Sequence, residues 1–131
     1  MSAAMVRDAL KIDFEFQRGG MSRTFTASHW RVENVRLLEA AVGEGKLPRD
    51  RFDRALLVTV LGEIPDRERA LREIFDALKP GGRLSVTEVI FDPHFQSRRS
   101  VARLAHSSGF RENAFHGNRI AYTLNFEKPS P

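Results

Sequence analysis

Cysteine is absent from this sequence of 131 residues, so disulfides, thiolate metal sites and a cysteine nucleophile are excluded. Long apolar runs are missing too, since no stretch approaches the roughly 18 residues needed to span a bilayer. The opening MSAAMVRDALKIDFEF lacks the continuous apolar stretch of a secretory signal. From these absences we expect a cytoplasmic protein without a membrane span. The four histidines, His29, His94, His106 and His116, are scattered without metal-ligand spacing, and we expect no metal site. No G-x-S-x-G nucleophile elbow, internal repeat or low-complexity tract occurs.

Charge of one sign is also not concentrated. The net charge is +4, but the 21 basic and 17 acidic residues are interleaved, as in RDRFDR and DRERALRE. The densest basic pair, Arg98 and Arg99, has no aromatic ladder beside it in sequence. A phosphate-binding face usually clusters its charge, so we expect a solvated mixed surface and no nucleic-acid partner. The composition is that of a globular domain, with 41% hydrophobic and 29% charged residues.

Two regions are expected. Residues 1–30 form an N-terminal segment whose strand, Lys11 to Gln17, places Ile12, Phe14 and Phe16 on one side. Residues 31–131 form an α/β domain. Within it, Val35 to Ala41 reads as a short strand. Phe52 to Leu61 holds ALLVTVL, a run suited to a strand covered on both faces. Asp66 is placed to cap a helix whose Leu71, Ile74, Phe75 and Leu78 make one stripe. Lys79 favours that helix's C-terminus, and Pro80-Gly81-Gly82 stops it. Strand Arg83 to Ile90 follows, then a helix capped by Ser97 with Val101, Leu104 and Ala105 inward. A hairpin ends the chain, with Ile120, Tyr122, Leu124 and Phe126 alternating along its second arm.

The run FDRALLVTVLGEIPDRERALREIFDALKPGGRLSVTEV resembles the second half of small-molecule class I S-adenosylmethionine-dependent methyltransferases. The matching residues are Phe52-Asp53, Pro65-Asp66 and Leu78-Lys79-Pro80-Gly81-Gly82, within a likeness covering residues 31 to 129. It implies a Rossmann-like α/β sheet, N-terminally abbreviated, mostly parallel with an antiparallel C-terminal hairpin and helices on both faces. It also implies S-adenosylmethionine as cofactor and a small-molecule or lipid-like acceptor. The family's Gly-rich cofactor loop, (D/E)-x-G-x-G, has no counterpart here, because Gly19-Gly20 lacks the acidic residue and the spacing.

By the same resemblance, an adenine-contacting Asp would fall on Ala41, where Glu39 or Glu44 are the substitutes in reach. The backbone at Val58 and Thr59 would face the cofactor's methionine end, and Glu63, Phe91, His94 and Phe95 the acceptor. Ligands of open α/β sheets sit beyond the carboxyl ends of the strands, where Leu61, Gly62, Glu88 and Asp92 also fall. His94 is the candidate general base, with Glu63 as a second acid or base, because a histidine of ordinary pKa, about 6.5, suits proton removal near neutrality. The plainer reading of His94 is a residue shaping the turn after Asp92-Pro93. Two functions of different class follow: methyl transfer, or a non-catalytic module that keeps the fold as a homodimer or as partner of a complete enzyme. In both we expect a homo-oligomer, because an abbreviated sheet leaves the edge of Ala55 to Leu61 unpaired unless Lys11 to Gln17 fills it.

Overall fold

A computed structural model of the chain describes residues 2–6, 12–15, 35–37 and 41–131, the first three stretches as backbone strands. Strands β1 (Ser2–Val6), β2 (Ile12–Glu15), β3 (Val35–Leu37) and β4 (Phe52–Val58) precede helix α1 (Arg67–Ala77). Strand β5 (Leu78–Val89), helix α2 (Arg98–Ser107) and the hairpin β6 (Arg111–Gly117) and β7 (Ala121–Glu127) complete the order. One seven-stranded sheet holds them as β3-β2-β1-β4-β5-β7-β6.

The pairing is mixed where mostly parallel pairing was expected. β4 runs parallel to β5 and β2 to β3, and the C-terminal hairpin is antiparallel as read from sequence. The difference comes from β1, which is antiparallel to both of its neighbours, β2 and β4. A short connection from Val6 to Ile12 leaves no room for a crossover, so the two strands can only form a hairpin. The edge of β4 is therefore filled within the chain, but by Ser2–Val6 and not by the Lys11 to Gln17 strand, which lies one place further out.

Alternation decides which face becomes the core. Ala55 and Leu57 on β4, Leu84 and Val86 on β5, and Tyr122, Leu124 and Phe126 on β7 are buried. They meet Ala70, Leu71 and Ile74 of α1 and Val101 and Ala105 of α2 in one cluster. Both helices thus share a face of the sheet, and among the described residues none lies on the other. There Ser85 pairs with Asn125 at 2.7 Å and Thr87 with Thr123 at 2.8 Å. Beside these polar rungs Leu56 and Val58 remain 38% and 37% exposed, so the apolar run in β4 is not covered on both faces as expected. Helices on both faces are accordingly not found among the described residues.

Local signals account for the helix ends. The Asp66 carboxylate accepts from the Arg69 N–H at 3.0 Å, and the Ser97 hydroxyl from the Ser100 N–H at 3.2 Å. Replacing Asp66 by alanine is expected to cost about 1 kcal/mol of unfolding free energy in urea titrations, while Asp66→Ser stays close to the parent. Helix α1 ends at Ala77, two residues before Lys79. Lys79 belongs to β5 and reaches the Asp53 carboxylate at 3.1 Å. Gly81 adopts φ +77 within the irregular start of β5, and its N–H donates to the Lys128 carbonyl at 2.8 Å. On β7, Ile120 falls just before the strand and is 53% exposed, while Tyr122, Leu124 and Phe126 point inward as expected.

Candidate active site at the carboxyl ends of two parallel strands

The parallel pair β4–β5 delivers two loops to the same edge of the sheet. β4 ends at Val58, and Thr59 follows with φ 50 while its N–H donates to the Thr87 carbonyl at 2.9 Å. A β-branched residue in the left-handed region is strained by roughly 1–3 kcal/mol, and such strain gathers at functional sites. A tight turn, Leu61–Glu63, comes next, with Leu61 fully buried as its anchor. The Arg67 guanidinium donates to the Leu61 carbonyl at 3.1 Å and the Gly62 carbonyl at 2.8 Å. The turn's outward carbonyls are thereby satisfied from the first residue of α1.

The β5–α2 loop folds back across this turn. His94 N–H donates to the Asp92 carboxylate at 2.7 Å, and Phe95 N–H to the Asp92 carbonyl at 3.1 Å. The loop packs so closely on Gly62 that a Cβ there would lie 1.8 Å from the His94 carbonyl oxygen. The result brings Glu63, Asp92 and His94 together: His94 Nδ1 stands 3.8 Å from a carboxylate oxygen of each. The imidazole is half-exposed, so it can meet a ligand from solvent with both carboxylates beside it.

Behind the loop lies a buried carboxyl group. Glu88 follows Leu84 and Val86 in the inward register of β5 and is 1% exposed. Its Oε2 accepts the Gln96 N–H at 3.1 Å, and Oε1 has no hydrogen-bond partner among the described residues. Burial raises the Glu88 pKa above the ordinary carboxylate value; the Gln96 N–H opposes this, Asp92 adds to it, and Arg67 offsets part of it. The Tyr122 hydroxyl donates to the Gln96 carbonyl at 2.5 Å, and its own pKa is pushed upward by burial and by Glu88.

Other residues singled out from sequence have different surroundings. Phe91 is 84% exposed, whereas Phe95 turns inward and packs edge-on against Tyr122 at 6.1 Å. Val58 points to the face opposite the helices. Ala41 begins a loop in which its carbonyl accepts the Glu44 N–H at 3.2 Å, and Glu44 pairs with Lys46 at 2.6 Å. That pairing with Lys46 lowers the Glu44 pKa. Two N–H groups of the same loop, Gly43 and Leu47, donate to the Glu73 carboxylate of α1. Glu39 lies outside the described residues. Arg98, read as surface charge, stacks 4.1 Å over the Phe115 ring and bonds Glu112 at 2.9 Å.

Sequence reasoning placed Glu88 at the edge without a role and passed over Arg67, Gln96 and Tyr122. The signal for a buried carboxyl group was nonetheless in the sequence, since Glu88 occupies an inward position of an alternating strand.

The Methyltransferase domain family matches residues 6–86. The chain belongs to that family. This methyltransferase-domain chain is 42% identical over 65 residues to the ubiquinone/menaquinone biosynthesis C-methyltransferase UbiE of Vibrio vulnificus. Over 76 residues it is 38% identical to the UbiE of Proteus mirabilis. The matches take in 47% and 56% of the chain but only 25% and 30% of those enzymes, so the chain spans about a quarter of the length of these curated relatives.

Solved structures share the fold. A Thermotoga maritima S-adenosylmethionine-dependent methyltransferase superposes with a TM-score of 0.62 at 23% identity, covering 72% of this chain and 65% of that one. The Burkholderia thailandensis 1,6-didemethyltoxoflavin-N1-methyltransferase, solved with S-adenosylhomocysteine, gives 0.62 at 19% over 79% and 55%. The [4+2]-cyclase SpnF gives 0.70 at 17% over 80% and 60%. The Rossmann-like methyltransferase fold read from sequence is thus present, and a cyclase among its bearers shows that the fold alone does not name a reaction.

Proposed function

We propose that the chain contributes the acceptor-facing side of an S-adenosylmethionine-dependent methyltransferase site, with Glu63 and His94 as its working pair. The supporting observation is their convergence, 3.8 Å apart, at the carboxyl ends of adjacent parallel strands. The family match and the UbiE relatives add a carbon acceptor on a small or lipid-like ring as the substrate class. S-adenosylmethionine, when bound, supplies an electrophilic methyl group. This chain's own part is to align the acceptor and to receive the proton it loses, His94 taking the proton beside the Glu63 and Asp92 carboxylates.

The residues described do not fit the adenosine end of that cofactor. Ala41 offers a methyl group where an acidic side chain is needed, Glu44 is engaged by Lys46, and the sequence carries no (D/E)-x-G-x-G loop. On our reading that half is supplied by residues of this chain outside those described, Glu39 included. The second reading, a non-catalytic module acting as homodimer or as partner of a complete enzyme, rests on the same misfit at Ala41. The partially exposed Leu56 and Val58 give it a surface, although the edge of β4 is already paired with β1.

Calorimetric titration with S-adenosylhomocysteine separates the two. We expect binding at micromolar affinity, weakened little by His94→Ala, because His94 serves the acceptor. No heat and no thermal shift at millimolar ligand would reject an autonomous cofactor site and favour the binding module.

A further inference from the structure

The Gln96 backbone is held on both sides by groups that the proposed reaction does not use. Its N–H is taken by Glu88 from β5 and its carbonyl by Tyr122 from β7. The Gln96 side chain in turn donates to the carbonyls of His94 at 3.0 Å and Phe95 at 3.3 Å. The backbone of this one residue therefore ties the sheet to the two residues that precede it in the loop. On the opposite side the same loop rests on Gly62, with no room for a side chain between them.

We propose that Glu88 is a positioning residue, which with Tyr122 clamps the Gln96 backbone and so fixes the His94 loop against the Gly62 turn. The inference rests on the reading of His94 as the acceptor-side base, but the clamp itself needs no ligand. A fully buried carboxyl group with one unpartnered oxygen costs stability, and the bond it makes in this place is the one to the Gln96 N–H. An apolar residue in this register would pack as Val86 does and leave the Gln96 N–H without its acceptor. Glu88 acts through Gln96 and touches no reacting atom.

The groups facing Glu88 set how the clamp responds to pH. They are Asp92 and the Gln96 peptide on the loop, Arg67 on α1 and Tyr122 on β7. Since burial raises the Glu88 pKa, the closed loop holds the proton more tightly than an opened, hydrated one. Opening must then become easier as pH rises from the ordinary carboxylate value through the raised one.

Amide hydrogen exchange of the full chain, read by NMR and corrected for the intrinsic pH dependence, tests this. Glu88→Ala should speed exchange at Gln96 by at least about tenfold while Leu84, Val86 and Leu124 keep their protection. The nuclear Overhauser contact between Gly62 and His94 should vanish with it. Glu88→Gln, which keeps an acceptor oxygen, should restore both and abolish the rise of loop opening with pH seen in the parent. Tyr122→Phe should loosen Gln96 to a lesser degree, which keeps the test alive if Glu88→Ala does not fold. Unchanged Gln96 protection in Glu88→Ala and Tyr122→Phe would overturn the clamp. So would an equal loss across the core amides, or a pH profile in Glu88→Gln that parallels the parent. Failure to bind S-adenosylhomocysteine would remove the methyltransferase reading and leave these results untouched.

Discussion

Phe110→Ala is expected to cost about 3–5 kcal/mol, a large share of the roughly 5–15 kcal/mol that holds a domain of this size together. Phe110 is 1% exposed and stands at the joint between α2 and the hairpin. It meets Phe75 of α1 edge-on at 5.0 Å and Phe126 of β7 at 6.3 Å, so one ring touches both helical and sheet layers. Its N–H donates to the Ala105 carbonyl at 3.0 Å, and Gly109 before it turns the chain at φ +100. Truncation leaves a void that neither Phe75 nor Phe126 can fill without abandoning its own contact. Urea unfolding should show a lower midpoint with an unchanged slope. Phe91→Ala, at a site 84% exposed, should stay within about 0.5 kcal/mol of the parent and serves as the control. A loss below about 1 kcal/mol at Phe110 would mean that the joint between α2 and the sheet repacks freely.

The same burial pattern explains what was legible in the sequence. β5 and β7 carry a period-two apolar pattern and each helix a capping residue, so Asp66, Ser97 and the inward Leu124 and Phe126 could be placed from pattern alone. β1 was not legible. Ser2 to Val6 is short, rich in small residues and lacks alternation, and its place beside β4 depends on the sheet that receives it. Its direction was hidden for the same reason, since a resemblance to parallel sheets carries no information about a segment outside the matching motifs.

At the candidate site, the approach of Glu63 to His94 was foreshadowed by their falling at the ends of neighbouring strands. The Gln96 clamp was not. It depends on how the β5–α2 loop folds back over Glu88 and Tyr122, and no pattern within residues 91–97 encodes that path. Phe95 illustrates the limit: beside an exposed Phe91 it reads as a second acceptor contact, yet Tyr122 draws it inward.

Gly62→Ala should separate the two halves of the site with a single methyl group. The added Cβ would fall 1.8 Å from the His94 carbonyl oxygen, 2.7 Å from its carbonyl carbon and 2.8 Å from its Cβ. Two of those atoms are backbone, so no rotamer change relieves the clash, and one loop must move. The turn is the less mobile partner. Leu61 anchors it in the core, and Arg67 bonds the carbonyls of Leu61 and Gly62. The β5–α2 loop therefore yields, carrying His94 away from Glu63 and straining the Gln96 hydrogen bonds behind it. Overpacking of this kind costs about 1–3 kcal/mol, and the melting temperature should fall by roughly 3–4 °C per kcal/mol for a domain of this size. On the proposed reading of His94 as the acceptor-side base, any affinity for S-adenosylhomocysteine should survive while turnover of an acceptor falls by at least about a hundredfold. If the variant melts with the parent and keeps its Gly62–His94 proximity, the two loops are not packed as described, and the pairing of Glu63 with His94 loses its structural support.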